Sequence, residues 1–448
     1  MLHFQLTARA ARVVIVATAF SATSATVRAE SSGPADADLA GPVRRAAIVQ
    51  AAVARNGSVK AAEQKAHAVA LSAQTEGRLP PPEVMGQVWQ VPFSKPYALN
   101  SQMIMVGVHQ SFPAPGSLGA REAARGQSAR AEAAMAGDRT RQIVRDAEHA
   151  FADYVEATGK HRLHRNHLEV ARHVLEIAQA RHGAGGPLTD VTQAEVEMAR
   201  VEADVITDAT LVRSGRARLN ALLARGPNAE LGPPVEGEPE LPSWNTQTLV
   251  AKARETRPEL RAAIAEREAR RLDARAADRE ATWPSFKVGA FYFAPTDATP
   301  QHGYGFDAAV TLPWLWGAAD RKSAAEDAYA VAASTNAGAA HIPIDAEVVT
   351  AESNAQSAGY RLQVMRDRVL PASKRALDVA RDGYESGRTD QLTILAASRA
   401  VVDVEHDIVM ARASLDHALA DLDGAVGLSV PLAPIGPYVA PHGDDHAR

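Results

Sequence analysis

The sequence predicts a mainly α-helical protein with a membrane β-barrel portion, built from two copies of one unit. Similar residues recur about 200 positions apart, and such internal symmetry is the first guide to an architecture. Residues that recur in this way are Leu175, Ala178 and Gly185, which match Leu377, Ala380 and Gly387. Period-two alternation predicts two strands in each copy, between stretches of helical periodicity. Each unit is therefore predicted to run helix, strand, strand, long helix, turn and helix.

The first repeat is predicted over residues 30–225. It contains strands near 83–92 and 102–112 and a helical hairpin over 117–225. No proline interrupts the first helix of this hairpin, so its roughly 65 residues make a rod about 100 Å long. Residues 226–245 are rich in Pro and Gly and are predicted to be a linker.

The second repeat follows the same plan over residues 246–428. Its strands are predicted near 285–294 and 303–312, and its helical hairpin over 317–427. Residues 429–448 contain Pro, Gly and His and are predicted to be a flexible tail.

The predicted strands separate apolar residues from small and polar ones. Ile104, Val106 and Val108 point to one face of the second strand, and His109 and Ser111 point to the other. One face suits lipid and the other a wet lumen, which is the sequence signature of a membrane β-barrel. Aromatic residues near the strand ends resemble an interfacial girdle. They are Trp89, Tyr292, Tyr304, Trp314 and Trp316.

Both long helices carry apolar stripes at alternating three- and four-residue spacings, which predict left-handed coiled-coil packing. The stripe of the first helix is Ile143, Ala147, Ala150, Tyr154, Ala157, His161, His164, Leu168, Ala171, Leu175 and Ala178. The stripe of the second is Val348, Ala351, Ala355, Ala358, Leu362, Met365, Val369, Ala372, Ala376 and Val379. Pro371 is predicted to curve this second helix, and the effect of Pro343 is left open.

The N-terminal residues have the pattern of a secretory signal, predicted over residues 1–29. Arg9 and Arg12 precede the apolar run 13–20, and Val27-Arg-Ala29 is a suitable cleavage site. The sequence has no cysteine, so neither a disulfide nor an N-terminal lipid anchor is expected. The net charge of −5, without a basic block, argues against a nucleic-acid partner.

Four strands cannot close a barrel, and open sheet edges are not tolerated in hydrocarbon. Membrane barrels start at about eight strands, so copies of the chain must pool their strands. Strand physics alone allows a dimer, a trimer or a tetramer. The assembly is expected to be a hollow β-cylinder that continues into a hollow α-cylinder.

The duplicated plan resembles the TolC family of outer-membrane efflux channels over nearly the whole mature chain. The stretches that carry the resemblance are Leu79-Pro-Pro-Pro82, Val106-Gly-Val-His-Gln-Ser-Phe-Pro113, Arg257-Pro-Glu-Leu-Arg261 and Tyr384-Glu-Ser-Gly-Arg-Thr-Asp390. The first is most similar to the branch associated with heavy-metal cation efflux.

The resemblance implies a homotrimer with a twelve-stranded barrel in outer-membrane lipid and an α-helical barrel in the periplasm. It also implies a periplasmic membrane-fusion adaptor and an inner-membrane pump of the RND type as partners. The expected function is the exit duct of a tripartite efflux system, passively conducting substrates such as metal cations or drugs. The exported compound is not predicted, and no cofactor is expected.

The resemblance further implies a latch between the two inter-helix turns at the periplasmic tip. Thr189 and Asp190 match its acceptor positions, and Tyr384 and Arg388 match its donor positions. An Arg–carboxylate pair suits a latch because it is directional and breaks at modest cost in a wet site. The alternative is that Asp190 caps its helix and Arg388 is a solvated turn residue. Some family members narrow the tip further with rings of aspartates. The matching residues of this chain are Thr393 and Ala396, which cannot form such a ring.

Histidines raise the question of a metal site. His161, His164 and His167 lie within one helix, but the first two fall on the packing stripe, where a polar residue more often sets helix register. The tail residues His442 and His446 pose the same question. No metal site is predicted. The catalytic motifs GxSxG, P-loop, HExxH and GxGxxG are absent, so an enzyme is not expected.

A soluble periplasmic coiled-coil scaffold or adaptor is the alternative function. It would account for the heptads and the export signal. It would not account for paired alternating strands at matching points of a duplication. Fractionation separates the two hypotheses, since a channel belongs in the detergent-extracted outer membrane and a scaffold in the osmotic-shock fluid.

Overall fold

The structure is a computed structural model that describes residues 39–89, 103–235, 237, 240–295, 302–386, 388–429 and 432–434. The predicted signal peptide, the loops between paired strands and most of the C-terminal tail, including His442 and His446, lie outside the described residues.

The first repeat contains four helices and two strands among the described residues. They are α1 (Arg45–Arg55), α2 (Gly57–Glu76), β1 (Glu83–Trp89), β2 (Met103–Phe112), α3 (Ser117–Gly183) and α4 (Leu188–Leu222). The second repeat follows after a short strand, β3 (Glu240–Pro242). Its elements are α5 (Thr246–Thr256), α6 (Pro258–Thr282), β4 (Ser285–Pro295), β5 (Gly303–Thr311), α7 (Ala318–Ala339), α8 (His341–Val364), α9 (Leu370–Glu385), α10 (Gln391–Val426) and β6 (Leu432–Pro434).

Helix α3 is continuous over 67 residues, as expected from a segment without proline. Gly116, with φ of 81°, starts it, and a glycine-containing turn ends it. All eleven residues of the predicted stripe are buried or half-buried, so the heptad pattern identifies the packed face of α3 correctly. Among the described residues, no helix combines the length and the apolar character needed to cross a bilayer.

The second long helix differs from the prediction in register. Its stripe is buried or half-buried from Val348 to Leu362, but Val379 is 71% exposed and Ala380 is buried instead. A π-helical turn at Met365–Val369 lies between the two segments and inserts one residue. It ends two residues before Pro371, which has no N–H to continue the α-helical ladder. The irregularity expected near Pro371 is thus a π-turn. It moves the buried positions of the helix one residue towards the C-terminus.

Two other prolines mark helix boundaries. The rod is interrupted at Ala340, between α7 and α8, and Pro343 lies in the first turn of α8, where a proline is tolerated. Pro258 likewise occupies the first position of α6 and separates it from α5 at Arg257.

The four long strands form one antiparallel sheet in the order β1-β2-β4-β5. Strands β2 and β4 pair at the centre and join the two repeats, with Gly107 opposite Phe291 and His109 opposite Gly289. On β5 the register continues with Gly289 opposite Asp307. Within the described residues β1 and β5 each pair on one side only, so the sheet has two open edges.

Each repeat has its own hydrophobic core where the short helices pack on the hairpin. The core of the first repeat includes Ile48, Ala147, Tyr154, Leu219 and Leu223. That of the second repeat includes Leu249, Val348, Ala355, Leu415 and Leu422. The sequence duplication is therefore also a duplication of packing.

A two-stranded sheet lies where the sequence analysis placed only a linker and a flexible tail. Strand β3, within 226–245, pairs antiparallel with β6, within 429–448. Its Leu241 packs against the second core, and Gly359 of α8 leaves room for that side chain. Short segments of this kind are specified by tertiary pairing and lack a strong local pattern.

Candidate functional site: the sheet and the helical tip

One face of the four-stranded sheet is apolar and exposed along its whole width. Val84 of β1 is 76% exposed, and Tyr304 and Phe306 of β5 are 82% and 79% exposed. The residues of β2 and β4 on this face are Ile104, Val106, Val108, Phe112, Phe286, Val288 and Tyr292. A contiguous apolar surface of this kind marks contact with lipid or with another protein. The predicted lipid face is thus the exposed apolar face of the structure.

The opposite face carries the charged residues of the strands. Lys287 Nζ donates to Glu83 Oε2 at 2.5 Å, which connects β4 with β1 across β2. His109 Nε2 lies 3.2 Å from the Asp307 carboxylate. The alternation therefore predicts both faces correctly, but it does not predict these pairs, because their partners are about 200 residues apart in sequence.

Aromatic residues lie at both ends of the sheet. Trp314 and Trp316 belong to a short 3₁₀ helix that follows β5, and Trp316 is 89% exposed. At the loop end, the Tyr292 hydroxyl lies 2.8 Å from His302 Nδ1, and the two rings stack. This distribution has the form of the predicted girdle, although the side chain of Trp89 is outside the described residues.

At the far end of the hairpins, the turn between α3 and α4 places Thr189 and Asp190 in the first turn of α4. Gly185, with φ of 94°, supplies the left-handed conformation that this turn needs. Pro187 occupies the N-cap, so Asp190 is not the capping residue that the alternative hypothesis requires. Its backbone carbonyl accepts from Gln391 Nε2 at 3.5 Å, which brings the two turns together.

The second turn places Tyr384 at the end of α9 and Arg388 between α9 and α10. The Arg181 guanidinium lies 4.6 Å from the centroid of the Tyr384 ring, in a cation–π contact. Arg388 Nε donates to Ser386 Oγ at 2.9 Å, within its own turn. The chain therefore brings the two turns together, but no hydrogen bond joins Arg388 to Asp190 among the contacts of the described residues.

Three contacts at the tip were not anticipated from the sequence. Arg181 reaches Tyr384, and Gln391 reaches the first turn, as described above. Asp390 caps α10 by accepting from the Thr393 N–H at 2.9 Å and from its hydroxyl at 2.6 Å. These hydrogen bonds lower the pKa of Asp390. An Asp three residues before a Thr at a helix start is the signal that indicates this cap.

Residues 249–428 match the model of the outer membrane efflux protein family. The matched residues correspond to the second repeat, so this part of the chain carries the family's sequence pattern. A search of the curated proteins finds no match to the sequence.

Solved channel structures share the fold of this chain over most of its length. The open-state outer membrane channel MtrE of Neisseria gonorrhoeae is 20% identical, with a TM-score of 0.70 over 86% of this chain and 89% of its own. The Campylobacter jejuni outer membrane channel CmeC is 14% identical, with a TM-score of 0.73 over 86% of both chains. CusC is 16% identical, with a TM-score of 0.73 over 86% and 92%. The predicted TolC-type fold class is confirmed.

The structure accounts for one sequence stretch that carries the family resemblance, Arg257-Pro-Glu-Leu-Arg261. Arg257 is 4% exposed and donates to the carbonyls of Gly424 and Ala425 at 3.2 and 2.8 Å, at the C-terminus of α10. It also pairs with Glu259 at 2.7 Å and Glu347 at 2.8 Å. The motif therefore ties α5, α6, α8 and α10 together, which is a structural role.

Three of the histidines of α3, His161, His164 and His167, are half-buried and lie on or beside its packed face. His164 Nδ1 lies 2.7 Å from Asp208 Oδ2, and its ring stacks on His406. Burial lowers the pKa of both His167 and His406. Among the described residues, no group of three or more His, Asp or Glu side chains is arranged to hold a metal ion.

Proposed function

We propose that this protein is an outer membrane efflux channel, the exit duct of a tripartite efflux system. Three copies would form a twelve-stranded barrel in the outer membrane and a helical barrel in the periplasm, with residues 30–225 and 246–428 as the two repeats of each copy. A periplasmic adaptor and an RND-type inner-membrane pump would deliver substrate to the tip. The duct itself conducts passively, and the pump selects the cargo.

One observation carries this proposal: the sheet has two open edges, one exposed apolar face and one charged face. An open edge with unpaired N–H and C=O groups is not stable in hydrocarbon, where no water replaces the missing hydrogen bonds. Pairing β5 of one copy with β1 of the next would remove both edges. Closing the sheet with its charged face inside would then give a water-filled bore.

The helices support the same arrangement. Helix α3 has 67 residues, which at 1.5 Å per residue is a length of about 100 Å, suited to crossing a compartment. Several apolar side chains on the helices are exposed in the single chain and would be covered by neighbouring copies. They include Leu188, Ile206, Val331, Ile342 and Val379.

Two substitutions in β5 test which face meets lipid. Phe306→Lys places a charge on the apolar face, where burial in the bilayer costs about 2–4 kcal/mol at the midplane. Ala309→Lys places the same charge on the opposite face of the same strand, where water would solvate it. The expected result is that only Phe306→Lys lowers the amount of trimer in the detergent-extracted outer membrane.

Fractionation and electrical recording complete the test. The wild-type protein and Ala309→Lys should be found in the outer membrane and form ion-conducting channels in planar bilayers. A protein recovered in the osmotic-shock fluid, with both variants equally abundant, would instead support the periplasmic scaffold and end this proposal.

A further inference from the structure

His109, Gly289 and Asp307 form one row across three neighbouring strands of the sheet. The outer two strands of this row are about 10 Å apart, because neighbouring strands are separated by about 4.8 Å. The His109 side chain nevertheless reaches Asp307, at 3.2 Å. It does so by lying over Gly289, and it is only 4% exposed although it belongs to the charged face.

This position of His109 requires a residue without a side chain beneath it. A Cβ atom at Gly289 would lie 2.6 Å from His109 Nε2 and would also overlap the Asp307 carboxylate. An alanine at position 289 would therefore lift the imidazole off the sheet and separate it from Asp307.

Two phenylalanines on the same face lie on glycines in the same way. Phe291 stands between Gly107 of β2 and Gly305 of β5, and a Cβ at Gly107 would lie 2.8 Å from its Cε1. A Cβ at Gly305 would lie 2.9 Å from Cε2 of Phe293. The rings of His109 and Phe291 then meet edge to face, with centroids 4.9 Å apart.

We propose that Gly107, Gly289 and Gly305, here called the glycine bed, set the free width of the bore. They let His109, Phe291 and Phe293 lie flat on the wall instead of projecting from it. The inference rests on the proposed function, since it takes the charged face as the lumen. Three copies would repeat each side chain around the bore, so a lifted ring would obstruct it from three sides. The glycine bed thereby determines the largest solute that the barrel passes.

The experiment uses the absence of cysteine from the sequence. Ser285→Cys introduces a single thiol on the charged face, at the helical end of β4. A reagent that enters from the loop end must pass Phe293, Phe291 and His109 to reach it. The trimer is reconstituted, and the thiol is reacted with a small maleimide or with polymer-linked maleimides of increasing size.

Gly289→Ala is added to this background and compared with Gly86→Ala. Gly86 is a control for the same substitution in the same sheet, because it lies in β1 on the apolar face and no atom would lie within 4 Å of a Cβ there. The small maleimide should react at the same rate in all three proteins. Each larger reagent should react severalfold more slowly with Gly289→Ala than with the Ser285→Cys parent or with Gly86→Ala. Adding His109→Ala to Gly289→Ala should restore their rate.

Equal size dependence in Gly289→Ala and Gly86→Ala would overturn the role of the glycine bed and leave the channel intact. A different result is expected if the charged face is not a lumen. In that case the thiol of the Ser285→Cys parent would not distinguish small from large reagents applied at the loop end, which would overturn the proposed function and this inference with it.

Discussion

The Nδ1 atoms of His149 and His417 lie 2.8 Å apart and join α3 of the first repeat to α10 of the second. The other ring nitrogen of each faces a carboxylate, Asp421 at 2.9 Å and Asp153 at 3.0 Å. An ionised carboxylate can only accept, so both Nε2 atoms donate. The two rings therefore form one continuous chain of contacts between Asp421 and Asp153.

Replacing one ring should therefore weaken the connection between the repeats. His417→Ala removes the bond and leaves Asp153 with Arg218 at 2.8 Å. We expect a loss of about 1.5–3 kcal/mol, the range for hydrogen bonds to charged groups, measured as a lower urea midpoint. His173→Ala is the control, because His173 is 75% exposed in a surface pair with Glu176. Equal midpoints in the two variants would show that the histidine pair contributes nothing to stability.

Arg257 offers a second stability prediction. Arg257→Met removes the donor to the Ala425 carbonyl and the partner of Glu347, while Arg141 still contacts Gly424 and Glu259. Leaving the buried carbonyl unsatisfied should cost about 1–3 kcal/mol. The neighbouring Arg254→Ala removes an exposed pair with Asp345, worth about 1 kcal/mol or less. Thermal unfolding of the two variants should therefore differ clearly. Similar unfolding temperatures would mean that Arg257 is not the connection between helices that its contacts indicate.

Glu148 predicts a pH dependence of stability. Burial raises its pKa to about 7, with Asp423 and Asp416 adding to the rise and Arg45 opposing it. The folded state then holds this proton at pH values where the unfolded state, with an ordinary carboxyl pKa of 4.5, has lost it. The free energy of unfolding should consequently fall as the pH rises from about 4.5 to about 7.

Glu148→Gln removes this titration. At pH 8 the free energy of unfolding of the variant should exceed that of the wild type by an amount on the order of 3 kcal/mol. Between pH 5 and pH 8 the free energy of unfolding should change less in the variant than in the wild type. Glu169→Gln is the control, because Glu169 is 72% exposed. If the free energy of unfolding changes with pH in the same way in wild type and Glu148→Gln, Glu148 is not the source of the pH dependence.

The tip residues give a prediction about conductance. If Asp190 and Arg388 act as a latch between copies or between turns, Asp190→Ala and Arg388→Ala should each raise single-channel conductance severalfold. Asp204→Ala is the control, since Asp204 is an exposed carboxylate about 20 Å further along α4. Unchanged conductance in both tip variants would remove the latch and leave Arg388 as a solvated turn residue.

Local patterns were sufficient for much of this protein. The alternation of Val106 and Val108 with Gly107 and His109 identified both faces of β2, because side chains of a strand alternate strictly. The stripe from Ile143 to Ala178 identified the packed face of α3, because an uninterrupted helix keeps its period.

Patterns failed where a distant contact or a backbone irregularity intervened. The π-turn before Pro371 moved the packed position from Val379 to Ala380, and a heptad count cannot register an inserted residue of this kind. The pairing of β3 with β6 depends on segments about 190 residues apart, which carry no signal of each other.

The sequence alone thus specifies the duplication, the types of the elements and the polarity of each face. These features depend on local residue patterns. Three-dimensional packing supplies the rest. It places Gly289 under His109, sets Arg257 at the end of α10 and brings Arg181 to Tyr384. Each of these contacts joins elements that are distant in sequence, and their geometry exists only once the strands and hairpins have assembled.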